Sequence, residues 1–125
     1  MCGRVPTSPK NSTYMKILFL DDSVLRAKTF LSRHPDAVLV STVDECIQQL
    51  DKEWDLVLLD HDLGGKEMCD PGKGTGMEVA QWIAANRPKI GQIIIHSLNH
   101  SAAARMASVL FDYEVLVYPF AWSKI

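Results

Sequence analysis

The chain has 125 residues, 13 Lys and Arg against 15 Asp and Glu, a formal charge of -2, and 47% hydrophobic residues. That size and apolar content suit one globular domain and exclude a disordered chain. No apolar run approaches the roughly 18 residues that span a bilayer, and the slight acidity leaves no general footprint for duplex nucleic acid.

Residues 1–14, MCGRVPTSPKNSTY, are polar and lack the apolar core of a secretory signal. They read as a flexible N-terminal extension, with the domain over residues 15–125. Cys2, Cys46 and Cys69 are odd in number and have no framework spacing, so free thiols in a reducing cytoplasm are expected. Lys16–Leu20 (KILFL) is a short apolar run ending in Asp21-Asp22-Ser23, a buried strand followed by a turn. From Ser23 to Arg33, Val24, Ala27, Phe30 and Leu31 recur at helical spacing, and His34-Pro35 stops the helix. Ala37–Ser41 is a second strand. Thr42–Leu50 opens with the Thr42/Glu45 spacing of a capping box, with Ile47 and Leu50 as its apolar stripe.

Asp55–Asp60 (DLVLLD) is a third strand, apolar enough to be covered on both faces. His61–Gly76 forms a long loop, and loops of that length in a compact domain tend to carry function. Its PGKGTG stretch fails the phosphate-loop pattern, because Gly74 follows Lys73 and Glu67 stands where the first glycine belongs. Gly74 and Gly76 read as backbone freedom and Thr75 as a cap. Cys69 with His61 has no zinc spacing. Met77–Asn86 is a helix facing inward with Val79, Ala80, Trp82 and Ile83. Gln92–Ser97 is a fourth strand, a helix runs from about Asn99 to Leu110, and Val115–Tyr118 is a fifth strand.

Strands alternating with helices imply an α/β fold of three layers around a five-stranded parallel sheet. The expected strand order is 2-1-3-4-5, flavodoxin-like, with the final helix short or absent. Ligands of such sheets bind beyond the carboxyl ends of the strands, where this chain places Asp21-Asp22, Asp60-His61-Asp62 and His96-Ser97. Asp21, Asp22 and Asp60 would crowd on adjacent strands. Like charges so close call for a cation, and an all-oxygen set suits Mg2+ or another hard divalent ion. His61 and His96 are candidate proton-transfer groups. Alternation along a strand leaves open which of His96 and Ser97 enters the crevice. Asn99 suits either an N-cap or a phosphate contact, and Arg105 either a solvated helix face or a bidentate anion contact.

LFLDD, DLVLLD, IIIHS and VLVYPF together resemble the response-regulator receiver domain over Lys16–Phe120. The resemblance implies that Asp21 and Asp22 bind magnesium, that Asp60 accepts a phosphoryl group, and that Ser97 ends strand four. Tyr118 precedes Pro119 where receivers place a lysine that pairs with the phosphoryl group, and HDLGG replaces their short Met-Pro segment. A narrower set is similar to the cyclic-phosphate processing receiver domains: LDHDLG at Leu59–Gly64, GTG at Gly74–Gly76, HSLN at His96–Asn99, and Arg105-Met106. The HD and HSxN signatures of that family correspond to His61, Asp62, His96, Ser97 and Asn99, with His100 where the family often has proline.

This resemblance implies a phosphoesterase acting on a cyclic phosphate, at an RNA end or on a nucleotide. Asp21, Asp22 and Asp60 would hold the metal, while His61, His96, Asp60 and Asp62 carry the chemistry. Ser97, Asn99 and Arg105 would orient the phosphate. Two alternatives stand beside it: a phosphoacceptor receiver signalling through Asp60, and a non-catalytic interaction module. A sheet face lacking its last helix would also offer a surface for a protein partner or a homodimer.

Overall fold

The computed structural model describes residues 15–63 and 74–125. The extension expected at residues 1–14, with Cys2, and loop residues 64–73, with Glu67, Cys69 and Lys73, lie outside the described residues. The elements alternate: β1 (Ile17–Leu20), α1 (Val24–Arg33), β2 (Val38–Val40), α2 (Val43–Gln49), β3 (Trp54–Leu59), α3 (Gly76–Asn86), β4 (Ile90–Ile95), α4 (His100–Val109), β5 (Val115–Val117) and α5 (Ala121–Lys124). The five strands form one parallel sheet in the order β2-β1-β3-β4-β5.

Local chemistry sets the helix starts. The Ser23 side chain accepts the Arg26 N–H and opens α1, and Asn99 accepts the Ala102 N–H and opens α4. Each meets one of the N–H groups that a helix leaves unpaired. Thr42 caps α2 by accepting the Glu45 N–H, while Glu45 accepts from the Ser41 N–H, one residue before the position a strict capping box uses. Thr75 stands at the start of α3 without a side-chain cap bond to the helix.

Side-chain alternation sends each strand's residues to two cores. Leu18, Leu20, Val57, Leu59, Ile93 and Ile95 pack under α2, α3 and α4 with Cys46, Val79, Ile83 and Met106. Ile17, Phe19, Leu56, Leu58 and Ile94 meet Phe30 of α1 and Ala121 of α5 on the opposite face. This is the expected three-layer fold with a short final helix. Val24 departs from its expected inward position and is 70% exposed. The first turn of α1 overhangs the sheet edge, and there Arg26 rather than an apolar residue turns toward the strands. Trp122 and Ile125 pack on the second core, whereas Phe120 stays exposed. Among the described residues no helix is long and apolar enough to cross a membrane.

Candidate functional site at the carboxyl edge of the sheet

Strand register assembles the site. Leu20 pairs with Leu59, and Leu59 with Ile95. The next residues, Asp21, Asp60 and His96, therefore come side by side at the carboxyl edge of three adjacent strands. The ladder continues into them, since the Asp60 N–H donates to Leu20 O (3.2 Å) and the His96 N–H to Leu59 O (3.0 Å). All three are buried. Asp21, Asp22 and Asp60 each offer an oxygen, and the three lie within 4.8 Å of one another. Such an all-carboxylate set fits a hard divalent cation.

A cation of the chain's own already serves this cluster. Arg26 reaches back from α1 and grips Asp21 with both Nε (2.8 Å, to Oδ2) and Nη2 (3.1 Å, to Oδ1). Nη2 is also 3.8 Å from Asp60 Oδ2. The bond to Asp21 raises the Arg26 pKa further above its ordinary value. Asp21 Oδ1 additionally accepts the Ser23 N–H at 2.9 Å. One guanidinium does not neutralise three carboxylates. Burial, then the neighbouring Asp21, pushes Asp60 up to about 7, against the smaller opposing pull of Arg26.

His96 belongs to this cluster. Its Nε2 donates to Leu20 O at 3.1 Å, so the proton sits on Nε2, and the lone pair of Nδ1 lies 3.8 Å from Asp21 Oδ2. The ring stacks on Phe19, which stacks on Phe30. Burial pushes its pKa down to about 4, leaving a neutral imidazole at neutral pH. Register thus resolves the His96/Ser97 ambiguity: His96 joins the aspartate row.

His61 belongs to a second network. Its Nδ1 donates to Asp62 Oδ1 at 2.6 Å, and the same oxygen accepts Asn99 Nδ2 at 3.2 Å. Ser97 Oγ in turn accepts the Asn99 N–H at 3.0 Å. Asn99 therefore caps α4, one of the two uses foreseen for it, and braces Asp62 at the same time. The His61 ring is fully buried, and among the described residues its Nε2 has no hydrogen-bond partner. A buried nitrogen without a partner costs roughly 1–3 kcal/mol and calls for an explanation. The networks meet at Asp60, whose Oδ1 accepts the His61 N–H at 2.8 Å. The two imidazoles are thus held by different partners, His61 by the Asp62 carboxylate and His96 by the Leu20 carbonyl. Arg105 is exposed on α4, and among the described residues no ion pair ties it to the site.

Gly76 explains the GTG stretch. Its N–H donates to His61 O at 2.9 Å, and a Cβ there would fall 1.9 Å from Asp60 O. Only glycine lets α3 approach the backbone of the carboxyl edge this closely. Gly74 has φ 81, and its N–H donates to Glu78 Oε1. Arg26 was not among the candidates read from sequence. A signal did exist: a cation in the first turn of a helix opposes the helix dipole and needs a carboxylate to hold it there.

A sequence model described as "Cyclic-phosphate processing Receiver domain" matches residues 16–112. No curated protein sequence matches the chain. Among solved structures, the fold is similar to the Mn(2+)-bound form of response regulator Rcp1 (TM-score 0.58, 16% identity, 83% of this chain and 81% of that chain). It is also similar to the BeF3 activated DrrB receiver domain (TM-score 0.57, 16% identity, 88% and 89%) and to the bacteriophytochrome response regulator AtBRR (TM-score 0.55, 15% identity, 89% and 88%). At these identities the structural likenesses establish the receiver fold.

Proposed function

Because the chain belongs to the family of cyclic-phosphate processing receiver domains, we propose that it is a metal-dependent phosphoesterase that opens a cyclic phosphate at an RNA end or on a nucleotide. The observation that carries this reading is the Asp62–His61 pair, whose buried Nε2 has no partner among the described residues and whose backbone is joined to the carboxylate cluster through the His61 N–H on Asp60. Asp62 holds the proton on Nδ1, which leaves the buried Nε2 lone pair as the acceptor for a proton from an attacking water that would have to enter with the substrate. Asn99 and Ser97 hold Asp62 in place. Asp21, Asp22 and Asp60 would hold Mg2+ or a similar ion, in keeping with the Mn(2+)-bound form of the similar Rcp1. Such an ion, when bound, polarises phosphoryl oxygens.

We assign His96 a packing role: its Nε2 proton is committed to Leu20 O and its ring stacks on Phe19 beneath the aspartate row. This differs from an acid–base pair of histidines, because burial disfavours the imidazolium that a general acid at that site would need. Arg105 would serve as a phosphate contact reached from the exposed face of α4. The test is hydrolysis of 2′,3′-cyclic nucleotides and cyclic-phosphate RNA ends with Mg2+. His61→Ala should lower the rate by roughly 10²–10⁴-fold while leaving the circular dichroism spectrum intact. Inactivity of the wild type across that panel would remove the proposal.

A second reading, a phosphoacceptor switch, draws support from the position of Asp60 at the end of β3 beside two further aspartates. Incubation with acetyl phosphate and Mg2+ followed by intact mass measurement decides it: a phosphoryl increment lost in Asp60→Asn supports the switch, and no increment removes it.

A further inference from the structure

The way Arg26 sits among the aspartates constrains how any cation enters. Asp21 Oδ1 already accepts two N–H groups, from Ser23 at 2.9 Å and from Arg26 at 3.1 Å, and Oδ2 accepts Arg26 Nε at 2.8 Å. Both oxygens of Asp21 therefore carry a guanidinium N–H. A hard divalent ion binds carboxylate oxygens at about 2.0–2.6 Å, closer than these donors stand, and it repels a guanidinium fixed on the same carboxylate. The Arg26 side chain is one-third exposed, and the residues preceding it, Val24 and Leu25, are 70% and 73% exposed. The Arg26 side chain is thus partly open to solvent while gripping Asp21. The planar fork that matches a carboxylate matches phosphate oxygens equally well.

We propose that Arg26 is the site's resident counter-cation, seated on Asp21 until a divalent ion takes the carboxylates and then released to clamp the anionic phosphoryl group of the substrate. This rests on the metal-site reading above. It makes Arg26 a substrate-binding residue whose availability depends on the metal, and it makes metal and phosphate mutually reinforcing ligands. A site without substrate then keeps its negative charge partly neutralised by a group that cannot diffuse away.

Two measurements on the full chain test this. Nitrogen-15 NMR follows the Arg26 Nε–H signal as Mg2+ is added; the proposal expects it to move from its carboxylate-bonded position as the ion saturates. Free-Mn2+ electron paramagnetic resonance compares affinities; Arg26→Gln should bind Mn2+ more than about tenfold tighter than wild type. With Mg2+ present, the same variant should bind inorganic phosphate at least about tenfold more weakly. An Arg26 signal unchanged at Mg2+ saturation overturns the exchange while leaving the metal site standing. Equal Mn2+ affinity in the two proteins, or equal phosphate affinity, likewise overturns it. Failure of wild type and variant alike to bind either ion removes the metal site itself, and the proposal with it. Should Arg26→Gln not fold, the NMR titration of wild type still decides.

Discussion

At Gly76, a methyl group would lie 1.9 Å from Asp60 O and 2.9 Å from the Cα of His61, both of them backbone atoms that cannot rotate away. Gly76→Ala should therefore push α3 off the site and cost at least about 2 kcal/mol in urea unfolding; a loss under a few tenths would show that the approach is loose. The buried titratable pair in the aspartate row sets a second prediction, for the metal-free protein. His96 has an ordinary value of 6.5 and a folded value near 4. Between these the unfolded chain holds a proton that the folded chain does not. The His96 contribution is thus fully present above pH 6.5 and is lost as pH falls toward about 4, on the order of 3 kcal/mol. Asp60 acts with the opposite sign. Its folded value near 7 exceeds its ordinary 3.8, so its contribution is present at low pH and is lost as pH rises through about 7. The two offset each other. With EDTA, wild-type stability should vary little across this window, whereas Asp60→Asn should become more stable as pH rises from about 4 to 6.5. An equally flat Asp60→Asn profile would contradict the assignment.

Among the elements, Phe30 is the main contact of α1 with the sheet: it is fully buried and stacks on Phe19 at 4.5 Å, and Phe19 stacks on His96 at 4.9 Å. Phe30→Ala should cost about 3–5 kcal/mol and, by loosening the stack beneath His96, lower activity through the fraction folded and through the site together. Proteolysis protection and turnover measured on one preparation separate the two effects. The strands were readable because each is a short, nearly unbroken apolar run, and their expected order follows from the alternation with helices. Their ends were less readable. β4 begins at Ile90 rather than Gln92 because Ile90 pairs with Trp54, a contact made by a partner strand and not by local propensity. For the site, acidic strand ends and the strand order were enough to bring Asp21, Asp22 and Asp60 together. The directions of His96 and Ser97 depend on how the ladder registers across three strands, which no single segment encodes. Arg26 escaped because it reaches the edge from a helix. Val24 was expected inside because helical periodicity does not say where a helix runs past the end of its sheet.

For the molecule as a whole, the short α5 covers the second core only in part. Trp122 and Ile125 pack against that core, while Leu116, Val117, Tyr118 and Phe120 are exposed near β5. Part of the uncovered edge is polar, since Gln92 donates to Glu114 there at 3.3 Å. The remaining apolar residues motivate a weak homodimer: light scattering should show mass rising with concentration and Leu116→Glu abolishing the rise, and a strictly monomeric wild type would contradict it. The proposed function depends on convergence, with a carboxylate row and an Asp-held imidazole serving one phosphoryl group at one sheet edge. Diffraction from crystals grown with Mn2+ and phosphate tests this most directly. The expected result is an anomalous peak ligated by Asp21, Asp22 and Asp60, with a phosphate oxygen in hydrogen-bond reach of His61 Nε2. A metal bound elsewhere, or a phosphate seated away from His61, would contradict it.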